Sequence, residues 1–199
     1  QETLKIVKEL NENDFSVTLD ILGEHSKNKS DAQSITKEYA DLYKNIYDQK
    51  LDCNLSIKLT HIGLDIGKDF TRSNLLTLLN KANKTHNFLR IDMESSKVTD
   101  TTLELYKECK VQYPEVGTVL QAYLYRSEDD LKMLNRDSKF NFRLCKGIYR
   151  ENPDIAIQDR REINNNFITL LRYAFEKQIY IAIATHDLEL LKTTYELIS

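Results

Sequence analysis

The stretch Thr118–Lys146, TVLQAYLYRSEDDLKMLNRDSKFNFRLCK, decides the fold. Its opening, Thr118 to Tyr123, is mostly apolar and β-branched or aromatic, as a strand covered on both faces should be. Ser127 then opens a helical stretch, and Asp129 and Asp130 place negative charge at the positive end of its dipole. Phe140 to Lys146 returns to strand character. A strand, a helix and a strand with connections this short imply parallel strands joined by a right-handed crossover.

Outward from that unit the alternation continues until it has occurred six times. The other strand candidates are Phe15 to Leu22, Leu55 to Thr60 and Phe88 to Met93 before it, and Tyr180 to Thr185 after it. Between them run amphipathic helices. Ile35, Tyr39, Leu42, Tyr43 and Ile46 fall on one helical stripe, with Ser30 or Asp31 as the expected cap. Thr101 and Glu104 have the spacing of a capping box. Ile163, Phe167, Leu170, Leu171 and Ala174 repeat the stripe in a long fifth helix, and Leu188 to Ile198 is still helical in pattern when the sequence stops at Ser199.

A doubly wound sheet and a TIM-type barrel both satisfy six such βα units. No GxGxxG follows any strand, and the chain has only 5 glycines, which argues against a dinucleotide-binding fold. The polar residues favour a barrel. The strand candidates stay apolar until their C-terminal ends, which present Asp20 and Glu24, Lys58 and Thr60, Asp92 and Glu94, Gln121, Arg143 and Lys146, and Thr185 with His186. In a barrel those ends form the rim where active sites sit. The expected fold class is α/β, leaning over a doubly wound sheet toward a (βα)8 TIM-type barrel of which these are the first six βα units. A typical barrel needs about 250 residues. The 199 residues here are expected to be a single barrel domain with both ends inside a longer chain, since the N-terminus has neither Met nor a secretion signal.

Composition narrows the function. With 28 Lys and Arg against 31 Asp and Glu, the net charge of -3 gives no basic field for nucleic acid. No apolar run approaches the roughly 18 residues of a membrane span. Cys53, Cys109 and Cys145 lack a CxxC pattern and read as buried thiols in a reducing cytoplasm. There is no Walker loop, HExxH, GxSxG or post-strand HxH, and the scatter of Asp92, Glu94, His61 and His186 makes a poor metal site. His25, His61 and His86 read as loop or capping residues. Lys146-Gly147 stands out, because a glycine just after a strand permits close backbone approach and a lysine beside it suits an anion. Tyr149 follows that turn.

The strand-end segments resemble the proline dehydrogenase family, including the matching domain of the bifunctional proline-catabolic enzymes. Six carry the resemblance in order: Asp20-Ile21-Leu22-Gly23-Glu24, Leu55 to Thr60, Arg90 to Glu94, Val119 to Leu124, Arg143 to Tyr149 and Ala184 to Asp187. It implies FAD-dependent oxidation of L-proline to Δ1-pyrroline-5-carboxylate, with electrons passed to a quinone and hence peripheral contact with a membrane. By position, Arg143 is expected near the flavin N5 and Gln121 at its pyrimidine edge. Cys145 and Tyr149 are expected on the flavin side, and Lys146, Gly147, Thr185 and His186 along the ribityl, pyrophosphate and adenosine portions. Lys58 faces the proline carboxylate, Asp92 tunes that lysine, and Glu24 belongs to an ion-pair gate.

Two departures accompany the resemblance. Cys145 and Ile148 replace the family's commoner Val and Ala. The Tyr-x-x-Arg-Arg motif that grips the proline carboxylate has no match; Arg160-Arg161 follows Asp159 early in the fifth helix and reads as a solvated face. Residues 1 to 199 alone are therefore expected to be poorly active. Two other readings compete: a Schiff-base aldolase or lyase using Lys58 or Lys146 as the amine, and a barrel fragment that binds without turnover.

Overall fold

The computed structural model describes residues 2–136 and 140–198. It divides into two compact units. One comprises the chain up to Asp92 with Thr101–Val116, and the other Met93–Asp100 with Gly117 onward.

The first unit runs α1 (Glu2–Asn11), β1 (Val17–Leu19), α2 (Lys29–Asp48), β2 (Cys53–Ile57), α3 (Lys68–Lys84) and β3 (Leu89–Ile91), followed by α4 (Thr99–Gln112), whose first residues belong to the other unit. The strands are parallel, with Val17 opposite Cys53, Leu55 opposite both Leu19 and Leu89, and Ile57 opposite Ile91. The anticipated α2 stripe packs inward: Tyr39, Tyr43 and Ile46 are buried beside Leu55 and Ile57 of the core. Arg72 of α3 donates to Glu108 of α4 through Nε and Nη2, at 2.7 and 3.1 Å. That fork ties the two helices by charge-assisted bonds.

The second unit runs β4 (Val116–Gln121, of which Val116 belongs to the first unit), α5 (Ser127–Leu134), β5 (Asn141–Cys145), α6 (Arg160–Glu176), β6 (Tyr180–Ile183) and α7 (Leu188–Ile198). These strands are also parallel, with Val119 opposite Arg143 and Arg143 opposite Ala182. Phe142, Leu144, Phe167, Leu170, Leu171 and Ala174 are buried, so the α6 stripe is realised too.

All six strand candidates are strands; five are shorter than their apolar runs, and β4 keeps the length of its run but begins at Val116 rather than Thr118. Lys58, Asp92, Lys146 and Thr185 lie just past the last paired residue, where the backbone leaves the ladder and turns. Coverage on both faces holds for β2, β3 and β4. It fails for β1 and β6, and Tyr180 is 72% exposed. Among the described residues β1 pairs only with β2, and β6 only with β5.

Two expected caps are corrected. The N-cap of α2 is Asn28, whose side chain accepts from Asp31 N at 2.9 Å, rather than Ser30 or Asp31. Thr101 lies inside α4, which is preceded by a 3₁₀ turn at Ser96–Val98, so it caps nothing. The start of α5 at Ser127 is as expected, although Ser127 Oγ donates to Gln121 O, at 2.5 Å, instead of capping the helix. Asp159 caps α6, accepting from Arg161 N and Glu162 N, and Arg160-Arg161 is exposed in the first turn. Helix α3 fills the place the alternation leaves for a helix between the second and third strands, whereas α1, before the first strand, has no equivalent in the sequence analysis.

Candidate active site

Strand register assembles the polar cluster of the first unit. Successive side chains on a strand alternate between faces. Ser56 and Lys58 therefore share a face, and the β2–β3 register continues from Ile57 and Ile91 to set Lys58 beside Asp92. Asp92 N also donates to Ile57 O, at 2.8 Å. Asp20, immediately after β1, enters the same cluster.

Lys58 Nζ lies 2.5 Å from Asp20 Oδ2 and 3.6 Å from Asp92 Oδ2, and the three side chains are 19%, 25% and 15% exposed. Each carboxylate is held from behind. Ser56 Oγ donates to Asp92 Oδ1 at 2.6 Å, and the Tyr39 hydroxyl to Asp20 Oδ1 at 2.9 Å. Burial alone pulls the Lys58 ammonium toward the neutral form. The hydrogen bond to Asp20 and the charges of Asp92, Asp20 and Glu24 outweigh it, so its pKa lies above the ordinary lysine value. Lys58 is a fixed cation.

Glu24 lies exposed in the β1–α2 loop, with His25 Nε2 3.9 Å from its carboxylate. That loop passes close over the buried His61, since a Cβ on Gly23 would stand 2.4 Å from the imidazole. Burial lowers the His61 pKa, which keeps the ring neutral.

The second unit has its own cluster. Lys146 Nζ lies 2.5 Å from Asp187 Oδ2, which also accepts from Asn164 Nδ2 of α6 at 3.3 Å. The other oxygen of Asp187 accepts from Glu189 N and Leu190 N, at 3.0 and 3.4 Å, so the same carboxylate caps α7. Lys146, with help from Asn164, holds the Asp187 carboxyl down to a pKa of about 2. Asp187 N donates to Thr185 Oγ1, which fixes the turn carrying the exposed His186.

Gly147 has a reason inside the protein. Its φ is +109°, and a Cβ there would lie 2.2 Å from the Tyr123 ring. The close approach is to that ring. Arg143, Cys145 and Tyr149 are half-buried, and Cys145 Sγ donates weakly to Leu120 O at 3.7 Å. Gln121 is 2% exposed; its amide nitrogen reaches Met93 O at 3.5 Å, and its Oε1 is buried with no hydrogen-bond partner among the described residues.

The structure thus brings Lys58 to Asp92 and Lys146 to the Thr185–Asp187 turn. It also gives roles to residues that have none in the sequence analysis. Asp20 is one of the strand-end charges there and Asp187 closes the last family segment, but neither is assigned a function. Tyr39 had been read as packing, Ser56 is a small polar residue in an apolar strand, and Asn164 is one of three consecutive asparagines. None of these three carries a sequence signal for its contact.

Parallel strands alternating with helices, with ionisable residues collected beyond their C-terminal ends, define an α/β protein of the TIM-barrel class. Solved structures agree. Proline utilization A from Bdellovibrio bacteriovorus, inactivated by N-propargylglycine, superposes with a TM-score of 0.89 at 24% identity, over 98% of this chain and 25% of that one. The same protein from Corynebacterium freiburgense gives 0.85 at 24%, over 98% and 24%.

The proline dehydrogenase family model matches residues 3–199, and the chain belongs to that family. Proline dehydrogenase 1 of Bacillus subtilis subsp. natto is 36% identical over the whole chain, and proline dehydrogenase of Deinococcus radiodurans 29% identical over 94% of it. The chain spans 66% of the length of the first relative and 62% of the second.

The family implies a flavin cofactor. The buried Gln121 Oε1 fits one, because an acceptor left without a donor costs about 1–3 kcal/mol, and a flavin's ring N–H is a donor of the right kind.

Proposed function

We propose that the protein oxidises L-proline to Δ1-pyrroline-5-carboxylate with FAD as cofactor, and that the electrons pass to a quinone. Bound FAD supplies the acceptor for the hydride lost from the ring carbon beside the nitrogen. The nitrogen releases the accompanying proton. The protein's own contribution is orientation and charge. Lys58 attracts the substrate carboxylate, and Asp92 and Asp20 hold its ammonium in place. Glu24 gates the approach. Arg143 stabilises the negative charge that accompanies hydride arrival. Gln121 takes a hydrogen bond from the pyrimidine edge, Cys145 and Tyr149 line the flavin, and Lys146, Gly147, Thr185 and His186 serve its ribityl, pyrophosphate and adenosine portions.

The observation that carries this reading is the Lys58 ammonium held between Asp20 and Asp92 with its pKa raised. A lysine kept charged suits carboxylate binding and is unfit as a nucleophilic amine, which must be neutral to attack a carbonyl. Lys146 is likewise engaged by Asp187. The Schiff-base reading therefore loses its best residue.

A quinone acceptor calls for peripheral contact with a membrane, and the scattered free cysteines suit a reducing cytoplasm. No helix among the described residues is long and apolar enough to cross a membrane.

The test is the visible absorption spectrum of the purified protein with FAD before and after L-proline. Flavin bands that bleach support the proposal. Bound flavin that proline leaves unchanged in the full-length protein rejects proline as substrate, and borohydride trapping of a carbonyl ligand on Lys58 would revive the aldolase alternative.

A further inference from the structure

The chemistry proposed above leaves Tyr39 unused. Its side chain is fully buried on α2, yet its hydroxyl is directed at the strand ends. The hydroxyl accepts from Ile21 N at 3.2 Å and has two acceptors for its single proton: Asp20 Oδ1 at 2.9 Å and Ile21 O at 3.3 Å. The nearer acceptor is also the charged one, so the proton goes to Asp20. Burial, and then the Asp20 charge, raise the phenol pKa far above its ordinary value, so Tyr39 remains a donor at every working pH.

Asp20 divides its oxygens. Oδ1 takes the Tyr39 proton and Oδ2 takes Lys58 Nζ at 2.5 Å, whereas Asp92 stands off at 3.6 Å and is itself held by Ser56. Asp20 cannot swing toward another partner without losing both bonds. Lysine has a long flexible stem that retains many rotamers unless its head is fixed. The nearest group doing that here is Asp20.

We infer that Asp20 and Tyr39 are positioning residues acting in series: Tyr39 fixes the Asp20 carboxylate, and Asp20 fixes the Lys58 ammonium that orients the substrate carboxylate. The substrate part of this inference rests on the proline dehydrogenase reading. The series itself rests on the geometry alone.

The test uses the full-length protein with Tyr39→Phe, Asp20→Asn and the double variant, checked for folding by circular dichroism. Three quantities are read: kcat and KM for L-proline, and the rate at which an amine-reactive reagent labels Lys58, located by mass spectrometry. The contact between lysine and carboxylate is made equally in ground and transition states, so KM rises while kcat stays within about twofold. Losing one hydrogen bond raises KM about 5-fold in Tyr39→Phe, and losing a charge-assisted one about 20-fold in Asp20→Asn. The double variant is no worse than Asp20→Asn, because residues in series are not additive. Lys58 labelling at about pH 9, below its ordinary pKa, is several-fold faster in all three.

Unchanged Lys58 labelling in a folded Asp20→Asn, or effects that add in the double variant, overturns the series. A kcat loss that matches or exceeds the KM rise overturns the positioning role. If wild-type protein leaves proline unoxidised, the enzymatic reading fails, and labelling still decides the series. Tyr39→Phe retains the aromatic ring and carries the test by itself should Asp20→Asn not fold.

Discussion

In the first unit a strand-end lysine, Lys58, is answered by two aspartates, each held by a side-chain hydroxyl, whereas in the second Lys146 is answered by one aspartate held mainly by backbone. The ionic contacts are alike at 2.5 Å. Their anchors differ. Asp20 takes a hydrogen bond from Tyr39, and Asp92 one from Ser56, so side chains help to seat the Lys58 cluster. Asp187 is seated on the N-terminus of α7, where N–H groups and the helix dipole favour a carboxylate. In the first cluster one lysine lies between two carboxylates, while in the second one lysine meets one carboxylate. A pair that recurs at strand ends is thus held in two different ways.

The largest expected effect breaks the first cluster. Lys58→Met removes the ammonium from between two partly buried carboxylates, which should cost about 3 kcal/mol because side-chain exposure softens the penalty of a fully buried charge. It should also lower kcat/KM for proline by about 100-fold, the upper end for a charge-assisted contact. Denaturant titration and steady-state kinetics check the two values, and a stable, active variant would remove Lys58 from the site.

Gly147→Ala tests the turn next to Lys146. A positive φ and a Cβ 2.2 Å from the Tyr123 ring predict a loss of about 2–4 kcal/mol, again by denaturant titration. Gly67→Ala is the control, since a Cβ there meets nothing within 4 Å and its loss should be far smaller.

The two pairs should fail at opposite ends of the pH scale. The Asp187 pKa is depressed to about 2 in the fold. Its contribution is complete above the unfolded value of about 4 and is lost as pH falls through about 2. The melting-temperature difference between wild type and Asp187→Asn should therefore be full at neutral pH and disappear in acid. The Lys58 pKa is raised instead. Its contribution is complete below the unfolded value of about 10.4 and is lost as pH rises beyond it. The difference for Lys58→Met should shrink in base. On the proposed cofactor role of Lys146, Asp187→Asn should also weaken FAD binding by about 5-fold, the value of one hydrogen bond, because Lys146 is no longer held; flavin fluorescence titration reads this directly.

The smallest effects should be equal in the two units. Asn28 caps α2 and Asp159 caps α6, and replacing either by Ala should cost about 1 kcal/mol. Equal losses support independent caps. A much larger loss at Asp159 would mean that the β5–α6 connection has a further role.

Legibility in the sequence followed the range of the interaction. Apolar runs and helical stripes registered all six strands and the inner faces of α2 and α6, because periodic burial is written into neighbouring residues. The Asn28 cap was misplaced because several polar residues in Asn28–Asp31 can cap, and only the backbone angle at Asn28 selects one. Lys58 and Asp92 were visible as strand-end charges. Asp20 was visible in the same way, but not as the nearest partner of Lys58, since it stands 38 positions away and meets it only through the β1–β2 register.

The sequence by itself determined the α/β alternation, the apolar cores, the collection of ionisable groups beyond strand C-termini and membership in the proline dehydrogenase family. Those features reside in local periodicity and short motifs. Only the tertiary structure decided that Asp20 is the nearer anchor of Lys58, that a buried phenol on α2 holds Asp20, that Asp187 serves both Lys146 and α7, and that Gly147 is shaped by Tyr123. Each of these depends on the register of parallel strands and the placement of a helix against them, and a few tenths of an ångström in that packing decide which donor meets which acceptor.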